Sequence, residues 1–184
     1  MTFDKLGYVV VRNMYEPKNH TYMIKDLFEY TKSISNQGMM DDQTPYAPSF
    51  YGNLEMCKVH SKILSKMEEV TNLKLYPTYN YFRIYNSGSI LKPHTDRPAC
   101  EISVTLNLGH DGDYNWPIWI KDNNGQDVEV ILNPGDGLVY HGCVNLHWRE
   151  DADKRLKCQS QVFLHYVDQN GPFENCINDN GKVQ

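Results

Sequence analysis

The sequence predicts an α+β domain whose helices brace one side of a β-sandwich or jelly roll. Before residue 75, apolar residues recur at helical spacing in two stretches. Beyond it, the chain becomes six short runs rich in Val, Ile, Thr and aromatic residues, with turn signals between them. Helices followed by many strands suit two layers around one core. A length of 184 residues suits one domain, taken as residues 1–184. Helical support is expected over about 13–74 and a strand core over about 75–168.

In chain order, Leu6 to Arg12 reads as a strand, being apolar and β-branched. After Pro17, residues Thr21 to Lys32 place Met23, Ile24, Leu27, Phe28 and Thr31 on one helical stripe. Ile34 to Asn53 reads as a long loop with Gly38, Pro45, Pro48 and Gly52. Loops of that length in compact domains often serve as lids or binding segments. Leu54 to Val70 is the second helix, with Leu54, Cys57, Ser61, Leu64, Met67 and Val70 on one face. The strands follow: Tyr76–Tyr85, Cys100–Leu108, Trp116–Lys121, Asp127–Leu132, Gly137–Tyr140 and Cys158–Val167. Asn124-Gly125 signals a two-residue hairpin turn. Asn133-Pro134-Gly135-Asp136 fits a type II turn, with Pro second and Gly third.

Composition narrows the partners. Lys+Arg 18 against Asp+Glu 23 gives a net charge of −5, which supplies no basic footprint for nucleic acid or an anionic membrane. No apolar stretch approaches a membrane span, and the opening residues lack the apolar core of an export signal. The five cysteines are odd in number, scattered and never in a C-x-x-C pair. Reduced thiols in a cytoplasm are the simplest reading.

The chemistry gathers around His94. Of seven histidines, only this one has a carboxylate two residues on, Asp96. On an extended segment residues i and i+2 share a face, so the pair can ligate one metal ion. Taken alone, the motif is equally that of a surface His and Asp sharing a hydrogen bond. A second histidine would complete the two-His, one-carboxylate set that leaves open positions for a chelating cosubstrate and O₂ on ferrous iron. His110, His141, His147 and His165 are the downstream candidates. His110 lies in an apparent loop, Gly109 to Gly112, and His165 inside a strand; spacing does not separate His141 from His147.

The segment Tyr85-Asn-Ser-Gly88-Ser-Ile-Leu-Lys-Pro93-His94-Thr-Asp96 resembles the Y-x-x-G-x-x-x-x-P-H-x-D segment of the prolyl 4-hydroxylase-like Fe(II)/2-oxoglutarate dioxygenases. Arg97 to Leu108 and Pro134 to Tyr140 continue the resemblance, which spans about Tyr79 to Val167. It implies a double-stranded β-helix (jelly roll) core. It also implies Fe(II) held by His94, Asp96 and His147, since Leu146-His147 resembles the family's distal L-x-H element. The cosubstrates implied are 2-oxoglutarate and O₂, with room for ascorbate. The reaction is hydroxylation of an unactivated C–H, in a prolyl residue of a peptide or in a free amino acid, releasing succinate and CO₂.

In the family a basic residue about ten positions beyond the distal histidine holds the far carboxylate of 2-oxoglutarate. Lys157 stands there, with Arg149 and Arg155 as alternatives, and Tyr85 matches a family tyrosine near metal and cosubstrate. A second family tyrosine is absent; Thr105 or its neighbours occupy that stretch, and the substitute is the Thr105 hydroxyl or Tyr85. Arg97, directly after the ligand pair, is the candidate for a substrate carboxylate. Two other classes compete: a zinc hydrolase using the same His, Asp and His, and a non-catalytic jelly-roll binding module with structural histidines.

Overall fold

The structure, a computed structural model, describes residues 2–15 and 23–179. Its elements are α1 (Thr2–Leu6), β1 (Tyr8–Val11), α2 (Ile24–Ser33), β2 (Ser49–Tyr51) and α3 (Leu54–Thr71). The strands β3 (Leu75–Asn86), β4 (Leu91–His94), β5 (Ile102–Gly112), β6 (Ile118–Lys121) and β7 (Asp127–Val130) follow. β8 (Gly137–His141), β9 (His147–Arg149) and β10 (Leu156–Asp168) complete the core. All pair antiparallel, into a six-stranded sheet β1-β8-β5-β10-β3-β2 and a four-stranded sheet β4-β9-β6-β7.

The pleat decides what each strand gives to each layer. On β10, Val162, Leu164 and Tyr166 enter the same core cluster as Leu27 and Phe28 of α2 and Met56, Val59 and Ile63 of α3. Phe163 and His165, one residue out of phase, line the cleft on the opposite face. β10 is buried on both faces from Gln159 to Val167, and its sequence carries buried polar residues (Gln159, Ser160, Gln161 and His165) among the apolar ones.

Local signals set the boundaries. α3 starts where the Asn53 side chain accepts from the backbone N–H of Glu55 (3.0 Å) and Met56 (3.3 Å). It ends where Asn72 turns left-handed. Its buried face is Met56, Val59, His60, Ile63, Met67 and Thr71, rotated from the predicted one, of which only Met67 is fully buried. Leu54 and Cys57 are exposed. α2 buries Leu27, Phe28 and Thr31 as expected; the predicted start at Thr21 lies outside the described residues.

The predicted loop 34–53 contains a strand, since β2 pairs with β3 in the register Phe50↔Phe82 and their rings stack at 4.5 Å. β5 runs on to Gly112, so His110 sits on a strand and not in a loop. The β6–β7 hairpin forms, but Asn124 does not take the positive φ a two-residue type I′ turn needs. Gly125 does, at φ 81°, closing its N–H on Asp122 O as the left-handed residue of a longer loop. The turn at 133–136 closes as predicted, Asp136 N–H donating to Asn133 O at 2.9 Å.

His60 ties α3 to the sheet: its Nε2–H donates to the His165 carbonyl at 3.0 Å. Burial holds its pKa at about 4, below the ordinary 6.5. The unfolded chain therefore binds an extra proton between those values. Stability present above pH 6.5 should fall as pH drops through that window, by up to about 1.4 kcal/mol per unit, and level off below it. His60→Gln should flatten this part of a pH–denaturation profile; parallel wild-type and variant profiles would show that His60 does not carry the slope.

Candidate active site

A cleft of about 100 Å³ opens between the two sheets. β3 alternates Phe82 and Ile84 toward the helices with Tyr79, Tyr81, Arg83 and Tyr85 toward the cleft. At one end of the cleft β4 and β9 pair His94 with His147 in register, rings 4.3 Å apart. Pro93 is tolerated because β4 is a sheet edge.

His94, Asp96 and His147 converge. Asp96 Oδ1 lies 3.7 Å from His94 Nε2 and 3.7 Å from His147 Nε2. Each imidazole is oriented through its other nitrogen: His94 Nδ1 is 2.8 Å from Lys92 O, and His147 Nδ1 is 2.9 Å from Asn145 O. A carbonyl only accepts, so both Nδ1 atoms carry the proton and both Nε2 atoms turn a lone pair to the same point. Burial pushes the His147 pKa down to about 4 and lowers that of His94. Burial also raises Asp96 to about 6, against the opposing pull of His94 and Ser103. Two neutral imidazoles and a carboxylate short of positive charge are a donor set that fits a divalent cation.

Asp96 is fixed from behind. Its N–H donates to Gly142 O at 2.8 Å, and Ser103 Oγ reaches Asp96 Oδ2 at 3.3 Å. A Cβ on Gly142 would stand 2.1 Å from Cys100 O and 2.7 Å from Asp96 Oδ2, so no side chain fits. Gly142→Ala should displace the carboxylate and weaken metal binding about 10- to 100-fold, the usual effect of disturbing a ligand's support. Titration of the apo protein with Fe(II) or Zn(II) reads this directly, and an unchanged affinity would remove Gly142 from the account.

The other predicted residues fall differently. His141 packs its ring on Phe3 at 4.4 Å and does not line the cleft; neither does His110. Lys157 is exposed beside the irregularity between Leu156 and Cys158, away from the cleft wall. Arg155 is exposed and paired with Asp153 at 2.9 Å. Arg97 is bidentate on Asp179 (2.5 and 2.8 Å) and lies over the Tyr79 ring, so its guanidinium is already engaged. Tyr85 is buried edge-to-face against Trp116 and lines the cleft. Thr105 Oγ1 donates to Gln161 Oε1 at 3.1 Å, and the Gln161 Nε2 beyond it is buried with no partner.

Arg149, on β9 two residues beyond His147, is 1% exposed, with its guanidinium near the rings of Trp116 (5.0 Å) and Tyr85 (5.6 Å). Nη1 donates to Trp116 O at 2.7 Å, but among the described residues Nε and Nη2 have no partner. Burial lowers its pKa to about 10, which leaves it charged at neutral pH. A buried cation with two orphaned donors is costly unless an anion meets it. Alternation would place Arg149 on the face of His147, but a three-residue strand gives no pattern to read. His165, which lines the cleft, reads in sequence as an ordinary strand residue.

The segment 34–53 is held against the site by Arg83, itself 1% exposed, which donates to Asp41 Oδ2 (2.7 Å), Asp41 Oδ1 (3.1 Å) and Ala47 O (3.3 Å). Gln43 and Tyr51 of this segment line the cleft.

No protein-family model matches the chain, and neither does any curated protein. Solved structures do. The epimerase SnoN, in complex with Fe³⁺, alpha ketoglutarate and nogalamycin RO, superposes with a TM-score of 0.75 at 11% identity over 99% of this chain and 89% of its own. A Pseudomonas putida prolyl-4-hydroxylase gives 0.68 at 12%, over 89% and 95%. A Trichoplax adhaerens prolyl hydroxylase, bound to a hypoxia inducible factor peptide fragment, gives 0.67 at 14%, over 91% and 86%. The chain therefore has the jelly-roll fold of these structures, prolyl hydroxylases and SnoN alike.

Proposed function

We propose that this chain is an Fe(II)- and 2-oxoglutarate-dependent oxygenase that hydroxylates an unactivated C–H bond. The observation that carries the reading is the convergence of two Nε2 lone pairs and one carboxylate oxygen at the mouth of a jelly roll. His94, Asp96 and His147 would hold the metal. When bound, iron and 2-oxoglutarate would supply the oxidising chemistry, with release of succinate and CO₂.

The remaining residues have definable tasks. Arg149, with Nε and Nη2 unpartnered, would hold the distal carboxylate of 2-oxoglutarate in place of the Lys157 that the family spacing suggests. Gln161, oriented by Thr105, offers a further buried donor, and Tyr85 walls one end of the cleft. Trp116, Ala152 and Leu156 pack beside Tyr85 in one buried cluster and keep water from that end. Similarity to prolyl hydroxylases supports a prolyl residue in a peptide or a free amino acid as substrate.

The test is succinate formation, followed by NMR, from 2-oxoglutarate and O₂ with the purified chain. It should require Fe(II) and be blocked by Zn(II). Turnover supported by Zn(II) without 2-oxoglutarate would indicate a hydrolase instead.

A further inference from the structure

We propose that His165 orients the substrate by accepting a hydrogen bond from an O–H or N–H group, and that the substrate carries a ring lying against an aromatic wall. This rests on the oxygenase reading for what is oxidised, but the recognition chemistry is independent of it. Ser103 Oγ lies 2.9 Å from His165 Nδ1, 3.0 Å from Cys100 O and 3.3 Å from Asp96 Oδ2. A hydroxyl has one proton, and the Cys100 carbonyl and the carboxylate only accept. With the Ser103 proton directed to one of them, as the buried Asp96 carboxylate favours, the contact with His165 is Nδ1–H donating to Ser103. In the neutral ring this leaves the lone pair on Nε2. That atom has no partner among the described residues and is not among the fully buried unsatisfied atoms, so it opens on the cleft that His165 lines.

The surroundings specify the rest of the ligand. Tyr79 packs on the His165 ring at 4.6 Å, and Tyr51 stacks on Tyr79 at 6.1 Å. Tyr51 also meets Tyr81 at 4.4 Å, and Tyr81 meets Phe163 at 5.5 Å. The rings make a continuous wall from His165 to Phe163, reaching solvent at Tyr51, which is 37% exposed. Such a wall favours a ring or another flat apolar surface. An aliphatic ligand without a donor would cover the Nε2 lone pair and leave it unpaired, a desolvation penalty that discriminates against it. His165 thus sets specificity, and the metal ligands set where the chemistry falls.

Histidine ¹⁵N NMR of the full chain, metal-free and Zn(II)-loaded, tests this without turnover. His165, assigned by its loss in His165→Gln, should show the Nδ1–H tautomer. Phenol and 2-pyrrolidinone should shift its Nε2 resonance and bind at least about tenfold better than anisole and N-methyl-2-pyrrolidinone. His165→Phe should abolish that preference, and His165→Gln, which keeps an acceptor, should retain part of it. An Nε2–H tautomer, or no response to the donor-bearing probes, or an equal response to the methylated ones, would overturn the proposal. If Fe(II) and 2-oxoglutarate bind while His165 fails these tests, only the substrate assignment falls. If His165 passes while they do not bind, the acceptor stands and the oxygenase reading falls.

Discussion

His147→Ala is expected to lower ferrous affinity and 2-oxoglutarate-dependent succinate formation by more than about 100-fold, beyond the 10- to 100-fold usual for loss of an outer-shell partner. The imidazole is 3% exposed, its Nδ1 proton is committed to Asn145 O, and its Nε2 faces Asp96 Oδ1 at 3.7 Å. His94→Ala and Asp96→Ala should fall in the same range, since the three donors define one point. His141→Ala is the control. Its ring packs on Phe3, so the variant should keep iron binding and lose at most some stability. Metal titration and succinate release on the four variants decide the matter; loss in His141→Ala with retention in His147→Ala would mean that the wrong distal ligand is assigned.

Arg149→Met is expected to raise the 2-oxoglutarate requirement by about 30-fold or more, with much less effect on iron binding. Truncating one partner of a buried, hydrogen-bonded charge pair typically costs about 2–5 kcal/mol, and 1.4 kcal/mol is tenfold. Methionine keeps volume and removes a buried charge whose Nε and Nη2 lack partners. The cosubstrate-free protein should therefore be as stable as the parent or more so. Lys157→Ala, altering an exposed side chain, should leave the requirement nearly unchanged. Thermal denaturation and 2-oxoglutarate saturation curves test both halves. A strong effect at Lys157 with none at Arg149 would restore the family spacing as the guide to the carboxylate site.

Much of this was legible in the chain itself. The strand runs of β3, β5, β8 and β10 show because buried strands demand continuous apolar and β-branched residues. His94-Thr95-Asp96 shows because ligands two apart on an extended segment must be close in sequence. The rest was hidden for physical reasons. β2, β4 and β9 are three or four residues long, too short for a period to appear. The α3 face was misplaced because His60 lies on its buried side with its polar nitrogen satisfied by a strand carbonyl. Arg149 and His165 owe their positions to inter-sheet packing, which no spacing along the chain encodes. Lys157 had the right count from His147, but the irregularity beside Leu156 puts it elsewhere.

The most direct measurement is an anaerobic titration of the purified chain with Fe(II) and then 2-oxoglutarate, followed in the visible range. If the three donors bind iron on one face and Arg149 draws the cosubstrate to it, a weak metal-to-ligand charge-transfer band should grow and saturate at one equivalent of each. It should be absent in His147→Ala and need far more 2-oxoglutarate in Arg149→Met. Iron that binds without the band appearing at any 2-oxoglutarate concentration would contradict the account.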